Sequence, residues 1–326
     1  MTHRVAAVDC GTNSLRLLVA DIDKESRCLT DVARRMEIIR LGQGVDRTGR
    51  LAPEALDRMT VVLRDYADVI ETSGARPVRM VATSATRDAS NSADFVRRVK
   101  EVLGVAPDVL TGDAEARLSF AGATAELAAD GAPYLVADIG GGSTELVLGD
   151  PGDQQPRAIS VNVGCVRMTE RHLHGDPPDE RELAAATADI DAALDEAARA
   201  VPVSQARTLV GLAGSVATVV AIALGLPEYD SARIHHARVS AADVHAVTSS
   251  LLGQTRAERA AIGVMHPGRV DVIGGGALVL DRIMHRFGFG EVLASEHDIL
   301  DGIAWSLARG NLARGNPATG NPATGN

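Results

Sequence analysis

Short apolar runs and longer amphipathic segments follow one another along the chain in an order that occurs twice. The pattern predicts three strands over 4–9, 15–23 and 28–40, and a strand–turn–strand pattern starts again at residue 134. The further predicted strands are 77–83, 106–111, 158–163, 208–213 and 291–295, and the predicted helices are 53–72, 91–103, 113–129, 165–173, 179–200, 215–225, 240–252, 255–263, 270–287 and 298–309. Strands that alternate with helices favour a mixed α/β sheet covered on both faces. The repeated order indicates a duplicated domain with a cleft between the two copies.

The restart of the pattern divides the chain into two predicted domains. The N-terminal domain covers 1–131 and is completed by a closing helix over 298–312, and the C-terminal domain covers 132–297. The Gly- and Pro-containing stretch at 128–133 is the predicted hinge. The tail at 313–326 repeats Asn-Pro-Ala-Thr-Gly without apolar periodicity, and we interpret it as a disordered extension or an expression remnant.

Two glycine turns stand between predicted strands. DCGTNS occupies 9–14 and DIGGGST occupies 138–144, 129 positions further along. Glycine lets the backbone approach an anion closely, and successive N–H groups of such a turn form an anion-binding concavity. The Asp that ends each leading strand is placed to hold a phosphate-bound metal or its water. One such turn is commonly just a hairpin, but two that face each other would grip a phosphate chain from both sides.

Composition narrows the possible ligands. Hydrophobic residues make up 45% of the chain and aromatic residues only 2%, so its cores consist of aliphatic side chains and offer few rings for stacking bases. The net charge of −10 argues against nonspecific nucleic-acid binding, which needs a basic surface, but allows a polyanion inside a cleft. Cys10, Cys28 and Cys165 have no disulfide or zinc spacing. No apolar stretch has the length of a signal core or a membrane span, and we therefore expect a cytoplasmic protein without a membrane partner.

Six sequence segments carry a family resemblance. They are VDCGTNSLRLLVAD, TSATRDASN, TGDAEARLSF, ADIGGGSTELVLG, NVGCVRMTE and GLAGS, in this order. Together they resemble the exopolyphosphatase and guanosine pentaphosphate phosphohydrolase family of the actin-like ATPase superfamily, from about residue 4 to about residue 309. The resemblance implies an α/β fold of two ribonuclease-H-like (actin-like) domains with an interdomain cleft. It points to the short, two-domain type of this family, although the closing Leu-Asp-Gly-Ile at 300–303 departs from the usual Arg-Glu-Gly-Val-like ending.

The resemblance also implies roles for the acidic residues. Glu115, in the EAR stretch, matches the family's catalytic glutamate and is the candidate general base. The residues alone favour an acid that interacts with a helix dipole, and the match to the EAR motif reverses that preference. Asp138 is expected to hold Mg²⁺, directly or through water, with assistance from Glu145. Asp9 mirrors Asp138 and either shares the ion or caps its own turn. Mg²⁺ fits because it prefers oxygen ligands and keeps waters beside substrate phosphates, and Mn²⁺ is an alternative.

A larger set of residues is predicted to bind phosphate. Arg87 is the candidate clamp, because a guanidinium can bridge two phosphate oxygens. Arg16 has a family position associated with ligand contact, and its alternative is a surface arginine on an alternating strand. Gly214 and Ser215 open a predicted helix after a strand, where a phosphate or nucleoside could bind. The remaining members are Thr12, Asn13, Ser14, Gly141, Gly142, Ser143, Thr144 and, on weaker grounds, Arg269.

Two classes of function follow from the resemblance. The first is a magnesium-dependent exopolyphosphatase that releases terminal phosphate from inorganic polyphosphate and prefers short chains. Guanosine pentaphosphate, converted to the tetraphosphate, is a further expected substrate. The second is a catalytically weak regulatory protein that binds guanosine nucleotides or polyphosphate in the same cleft. Sugar kinases and actin-like chaperones share the paired turns but not the TSATR and EAR stretches. Glu115 favours the enzyme, since a binding protein has no need of a base. A homodimer is expected from the family alone.

Overall fold

The computed structural model describes residues 2–308 except residues 24, 26, 27 and 154. The predicted tail at 313–326 and the last residues of the predicted closing helix lie outside the described residues. Two sheets organise the described part, one in each half of the sequence.

The first sheet is a three-stranded antiparallel meander extended by two parallel strands. Its strands are β1 (Thr2–Cys10), β2 (Ser14–Asp23), β3 (Cys28–Ile38), β4 (Val78–Ala82) and β5 (Asp108–Val109), and their spatial order is β3-β2-β1-β4-β5. Alternate residues of β1 enter different cores, because successive side chains of a strand point to opposite faces. Ala6 and Val8 pack into one cluster, and Val5 and Ala7 pack into another. Both faces of the sheet are therefore covered.

The second sheet repeats this arrangement and adds one strand. Its strands are β6 (Tyr134–Ile139), β7 (Thr144–Gly149), β8 (Arg157–Val161), β9 (Thr208–Leu212), β10 (Arg238–Ser240) and β11 (Glu291–Ala294), in the order β10-β11-β9-β6-β7-β8. β6, β7 and β8 form the antiparallel meander, and β9 runs parallel to β6. Without the edge strand β10, the order β8-β7-β6-β9-β11 matches that of the first sheet. The predicted mixed α/β class and the duplicated strand order are confirmed.

Helices cover both sheets. They are α1 (Val45–Thr48), α2 (Pro53–Ser73), α3 (Ser84–Asp88), α4 (Ser92–Leu103), α5 (Gly112–Ala123), α6 (Cys165–His172), α7 (Glu180–Ala200), α8 (Ala213–Ala223), α9 (Ser231–Ile234), α10 (Ala241–Gly253), α11 (Arg256–Ala260), α12 (Ile273–Phe287) and α13 (Ile299–Ala308). Short 3₁₀ turns lie at Ala129–Gly131 and Val203–Gln205. Among the described residues, no helix is both long enough and apolar enough to cross a membrane.

Some boundaries differ from the predicted ones. The helix predicted over 113–129 ends at Ala123. Thr124 is its C-cap, and the next backbone bond, from the N–H of Leu127 to the carbonyl of Thr124, is a turn rather than a helical bond. α3, α9 and β10 were not predicted, since elements of three to five residues are too short to show a period. The domain boundary at 131 stays a prediction.

The helices α5 and α13 cross so closely that their backbones are in contact. A Cβ on Gly122 would stand 1.9 Å from the carbonyl oxygen of Asp298, and a Cβ on Gly302 would stand 2.0 Å from that of Leu118. Only glycine allows so close a crossing at these two positions. α13 also packs on β1 and β2, and Ile303 shares a core cluster with Val5. The crossing thereby fixes α5 relative to the first sheet.

Candidate functional site

The two glycine turns are built alike and face each other. In the turn between β1 and β2, the N–H of Gly11 donates to the carbonyl of Ser14 at 2.9 Å; between β6 and β7, Gly140 donates to Ser143 at 3.0 Å. A Cβ on Gly141 would stand 2.8 Å from Cβ of Thr12, so the second turn rests against the first. The two turns therefore form opposite walls of one cleft.

Strand register places a charged residue opposite each turn aspartate. In the second sheet Asp138 pairs with Glu145, and in the first sheet Asp9 pairs with Arg16. The duplicated hairpins thus carry opposite partners at the same position. Like charges directly across a pair of strands are destabilising, whereas opposite charges are favourable. The second hairpin accordingly places two carboxylates side by side. In the first hairpin the charge of the aspartate is compensated by the arginine across from it.

Glu115 lies in the first turn of α5 and its side chain is buried. Nη1 of Arg87 donates to Oε2 of Glu115 at 3.0 Å and to the carbonyl of Leu110 at 3.0 Å. Burial raises the pKa of Glu115 well above its ordinary value, the charges of Glu145 and Asp138 add to this, and Arg87 opposes it. The carboxylate is therefore held in place by one cation while its neighbours favour protonation.

Asp138 and Glu145 are buried and each accepts a hydrogen bond from a serine. Ser119 Oγ donates to Asp138 Oδ2 at 2.6 Å, and Ser160 Oγ donates to Glu145 Oε1 at 2.7 Å. Burial is the main cause that raises the pKa of Asp138 to about 6 and that of Glu145 to about 7, and the charge of Asp138 contributes to the latter. Both pKa values are raised mainly because burial disfavours the charged form of a carboxylate, and the hydrogen bonds from serine oppose this only in part.

Arg16 is enclosed by carboxylates. Its Nε and Nη2 donate to Oδ2 of Asp9 at 3.0 and 2.7 Å, and its Nη1 pairs with Oδ2 of Asp298. Oδ1 of Asp9 is buried and has no hydrogen-bond partner among the described residues. Sequence reasoning missed Asp298, which lies 282 positions from Arg16; the unusual closing segment SEHDILDGI was its only signal.

Arg269 is a half-buried cation in the cleft wall. A Cβ on Gly214 would stand 2.2 Å from Nη2 of Arg269, so the guanidinium lies directly on the start of α8. Burial lowers the pKa of Arg269. Within the described part of the chain, Arg269 makes no hydrogen bond or ion pair through its side chain, unlike Arg16 and Arg87. An unpaired, half-buried guanidinium at a helix N-terminus is suited to an anionic ligand.

The cleft brings together most of the predicted set. The predicted residues that line it are Asp9, Thr12, Asn13, Ser14, Arg16, Glu115, Asp138, Gly141, Ser143, Gly214, Ser215 and Arg269. Arg87 and Glu145 are not among the lining residues; Arg87 contacts the cleft through Glu115, and Glu145 is the strand partner of Asp138. Gly142 packs against Ser84, and the Thr144 hydroxyl donates to the carbonyl of Val163 at 2.7 Å. Sequence reasoning missed Thr83 and Ser84, which also line the cleft; the Oγ of Ser84 hydrogen-bonds to the hydroxyl of Thr12 at 2.8 Å.

The acidic residues fit a hard divalent cation. Asp9, Asp138 and Glu145 offer only oxygen donors, which Mg²⁺ and Mn²⁺ prefer. A bound cation would give the buried Oδ1 of Asp9 the partner that it lacks, and it would lower the raised pKa values of Asp138 and Glu145.

A second group of ligand-type side chains lies outside the cleft. One atom each of Glu126, His235 and His297 lies within 4.8 Å of the others. Nδ1 of His235 accepts the N–H of Glu296 at 3.1 Å, and burial together with neighbouring His rings lowers the pKa of His235 to about 4. A neutral ring whose Nδ1 accepts carries its proton on Nε2, which faces Glu126. The group is therefore a polar contact cluster rather than a preformed metal site.

Comparison with known proteins agrees with this architecture. The sequence matches the Ppx/GppA phosphatase family over residues 18–309. It is 50% identical to Exopolyphosphatase 2 of Mycobacterium tuberculosis over 316 residues, which cover 94% of this chain and 98% of the relative. A crystal structure described as an exopolyphosphatase-like protein superposes with a TM-score of 0.89 at 46% identity, covering 94% of this chain and 99% of the other. The Aquifex aeolicus member of the Ppx/GppA family superposes with a TM-score of 0.78 at 27% identity, over 95% and 99% of the two chains.

Proposed function

The chain belongs to the Ppx/GppA phosphatase family, and from this premise we propose that it is an exopolyphosphatase. It would release the terminal phosphate of inorganic polyphosphate by hydrolysis. One observation carries the proposal: two equivalent glycine turns form opposite walls of a cleft that also contains a buried glutamate. The N–H groups of the turns suit a phosphate chain, and the glutamate supplies the group that hydrolysis needs and simple binding does not.

Glu115 would act as the general base. Phosphoanhydride hydrolysis needs an aligned water, a group that orients it, and compensation for charge on the phosphoryl oxygens. Arg87 holds Glu115 by a hydrogen bond of 3.0 Å, so the carboxylate can orient a water without rotating away. Arg269 has no protein partner in the described part of the chain and would bind phosphate oxygens. The role of Arg87 as a phosphate clamp stays a prediction, since one guanidinium has enough donors to serve both Glu115 and a phosphate.

Mg²⁺ or Mn²⁺ would be held by Asp138, with Glu145 and Asp9 as supporting carboxylates. The ion, when bound, neutralises charge on the transferred phosphoryl group. Its presence would also lower the raised carboxyl pKa values, which favours the ionised form of Glu115 that a general base needs.

The rest of the substrate would extend into a neighbouring cavity of about 690 Å³. This cavity shares Arg16 and Arg269 with the cleft and adds Arg34 and Arg35. Arg34 is already paired with Asp31 and Asp301, so Arg35 and Arg269 would bind the further phosphates. Its lining also includes Tyr229, Met265 and Leu300, which could contact a guanine base. Guanosine pentaphosphate is therefore proposed as a second substrate. A homodimer is proposed from the family resemblance alone, and the cytoplasmic location expected from the sequence stays a proposal.

The test is a side-by-side assay of phosphate release with purified protein. Short polyphosphate, long polyphosphate and guanosine pentaphosphate are each incubated with Mg²⁺, with Mn²⁺ and with a chelator. We expect metal-dependent release from short polyphosphate and weaker but measurable release from the nucleotide. Tight binding of all three ligands without phosphate release would favour a regulatory binding protein and contradict the proposal.

A further inference from the structure

Ser119 makes the closest polar contact to the turn aspartate of the second sheet. Its hydroxyl donates to Oδ2 of Asp138 at 2.6 Å, and the Ser119 side chain has no exposure to solvent. A hydroxyl-to-carboxylate bond of this length is charge-assisted and about twice as strong as a neutral hydrogen bond. Among the described residues, Oδ1 of Asp138 accepts no hydrogen bond. The contact therefore leaves one carboxylate oxygen free for another ligand.

Ser119 lies on the same face of α5 as Glu115, because residues four apart on a helix are neighbours. Gly122, three residues further on, continues this face to the backbone contact with Asp298. One face of α5 thus contains Glu115, the candidate base, Ser119, the donor to Asp138, and Gly122, where the helix contacts α13. Any displacement of α5 would move Glu115 and the Asp138 partner together.

We propose that Ser119 is a positioning residue for the metal ligand. It fixes the carboxylate of Asp138 so that Oδ1 is available to the divalent cation, and it ties that carboxylate to the helix that carries Glu115. The inference rests on the proposed role of Asp138 in metal binding. Without the hydroxyl, Oδ2 would lose its donor in a buried place, and the carboxylate would turn to find another one. Partners of metal ligands commonly change metal affinity 10- to 100-fold when they are removed.

The test compares Ser119→Ala with Ser119→Thr, which keeps a hydroxyl. Free Mn²⁺ is measured by electron paramagnetic resonance during titration, so that metal binding is read without turnover. We expect Ser119→Ala to bind Mn²⁺ about 10-fold more weakly, and Ser119→Thr to recover most of that loss. The melting temperature of each variant is measured as well, because the added methyl group of threonine can strain the site. If Ser119→Thr is destabilised, Ser119→Cys replaces it. Cysteine keeps the shape of serine and is a weak donor, so we expect Ser119→Cys to bind Mn²⁺ with an affinity between those of the wild type and Ser119→Ala.

The matched control is Thr124→Val, which removes another buried hydroxyl from the end of the same helix. That hydroxyl bonds to the carbonyl of Phe120 and does not contact the acidic residues, so Mn²⁺ affinity should be unchanged. If Ser119→Ala binds Mn²⁺ as tightly as the wild type while Asp138→Asn binds it more weakly, the role of Ser119 is overturned and the proposed role of Asp138 stands. If neither the wild type nor Asp138→Asn binds Mn²⁺, the metal part of the proposed function fails and the inference fails with it.

Discussion

Arg87 and Glu115 form an ion pair at 3.0 Å, in which one guanidinium nitrogen also bonds to the carbonyl of Leu110. The pair joins the end of α3 to the start of α5, two elements that border the cleft from the same side. Because Arg87 has a second, backbone acceptor, it holds the glutamate from a fixed position. This geometry suits a base that must orient water repeatedly.

The first prediction concerns Glu115→Gln. The amide keeps the size of the side chain and can still accept a hydrogen bond from Arg87, but it cannot accept a proton from water. We expect kcat for short polyphosphate to fall about 100-fold or more, with binding of the substrate retained. Steady-state kinetics and equilibrium binding check this. Glu126→Gln, an exposed site on the segment after the same helix, is the control and should keep wild-type kcat. Near wild-type turnover in Glu115→Gln would remove Glu115 from the reaction.

The sequence predicted those features of the site that arise from local patterns. Each glycine turn stands between two apolar runs, and the same seven-residue spacing from Asp to its strand partner recurs in both halves. The local pattern was therefore enough to predict Asp9 and Asp138 as site residues, and the family resemblance identified Glu115.

Long-range contacts could not be predicted in the same way. Asp298 reaches Arg16 only because α13 returns across α5, and that crossing depends on Gly122 and Gly302, which look unremarkable in the sequence. In the sequence, Ser119 is one small residue within a helix. Its contact with Asp138 arises only when α5 packs against the second sheet. Likewise, the pairing of Arg87 with Glu115 depends on how α3, a helix too short to predict, is oriented.

The second prediction concerns Asp138→Asn. An amide oxygen is a poorer ligand for Mg²⁺ than a charged carboxylate oxygen. We expect the Mg²⁺ concentration for half-maximal activity to rise at least about 10-fold. Activity titrations in Mg²⁺ and Mn²⁺ measure it. Asp153→Asn, in the loop after β7, serves as control. Full activity of the wild type in excess chelator would show that no divalent cation takes part.

The third prediction uses the raised pKa of Glu145, about 7 against an ordinary 4.5. Between these values the folded, metal-free protein holds a proton that the unfolded chain has released, so its stability falls as the pH rises through this window. Glu145→Gln removes the buried charge. In chelator at pH 8 we expect the melting temperature of this variant to exceed that of the wild type by at least about 3 °C, and the difference to shrink towards pH 5.

Calorimetry of both proteins at the two pH values checks this prediction, with Glu101→Gln on the exposed face of α4 as the control. If the melting temperatures of Glu145→Gln and the wild type differ by the same amount at pH 5 and at pH 8, the buried charge is not the cause of that difference. Added Mg²⁺ should stabilise the wild type more than Glu145→Gln, because a ligand that binds only the folded state raises its stability.

The fourth prediction concerns Gly214→Ala. A methyl group at 214 would stand 2.2 Å from Nη2 of Arg269, so the guanidinium must move. We expect kcat/KM for short polyphosphate to fall about 10-fold, mainly through KM, since a displaced cation loses phosphate contacts. Gly253→Ala is the matched control, because a Cβ there meets no atom within 4 Å at the end of a helix. Equal kinetics in the two variants would show that Arg269 does not contact substrate.

The last prediction concerns the length of the substrate. The cations that face the cleft and its neighbouring cavity are few, and several of them are already paired with carboxylates, as Arg16 is with Asp9 and Asp298. Outside this region a polyanion meets a protein of net charge −10, and repulsion accumulates along a long chain. We therefore expect kcat/KM per chain end to be higher for short polyphosphates than for chains of several hundred units, with distributive hydrolysis. Added salt should narrow the gap, because it screens the repulsion over about 10 Å at 0.1 M. Gel analysis of partly digested long chains measures the mode of hydrolysis: intermediate lengths should accumulate, and their absence would indicate a basic track along the surface that holds the chain between successive cleavages.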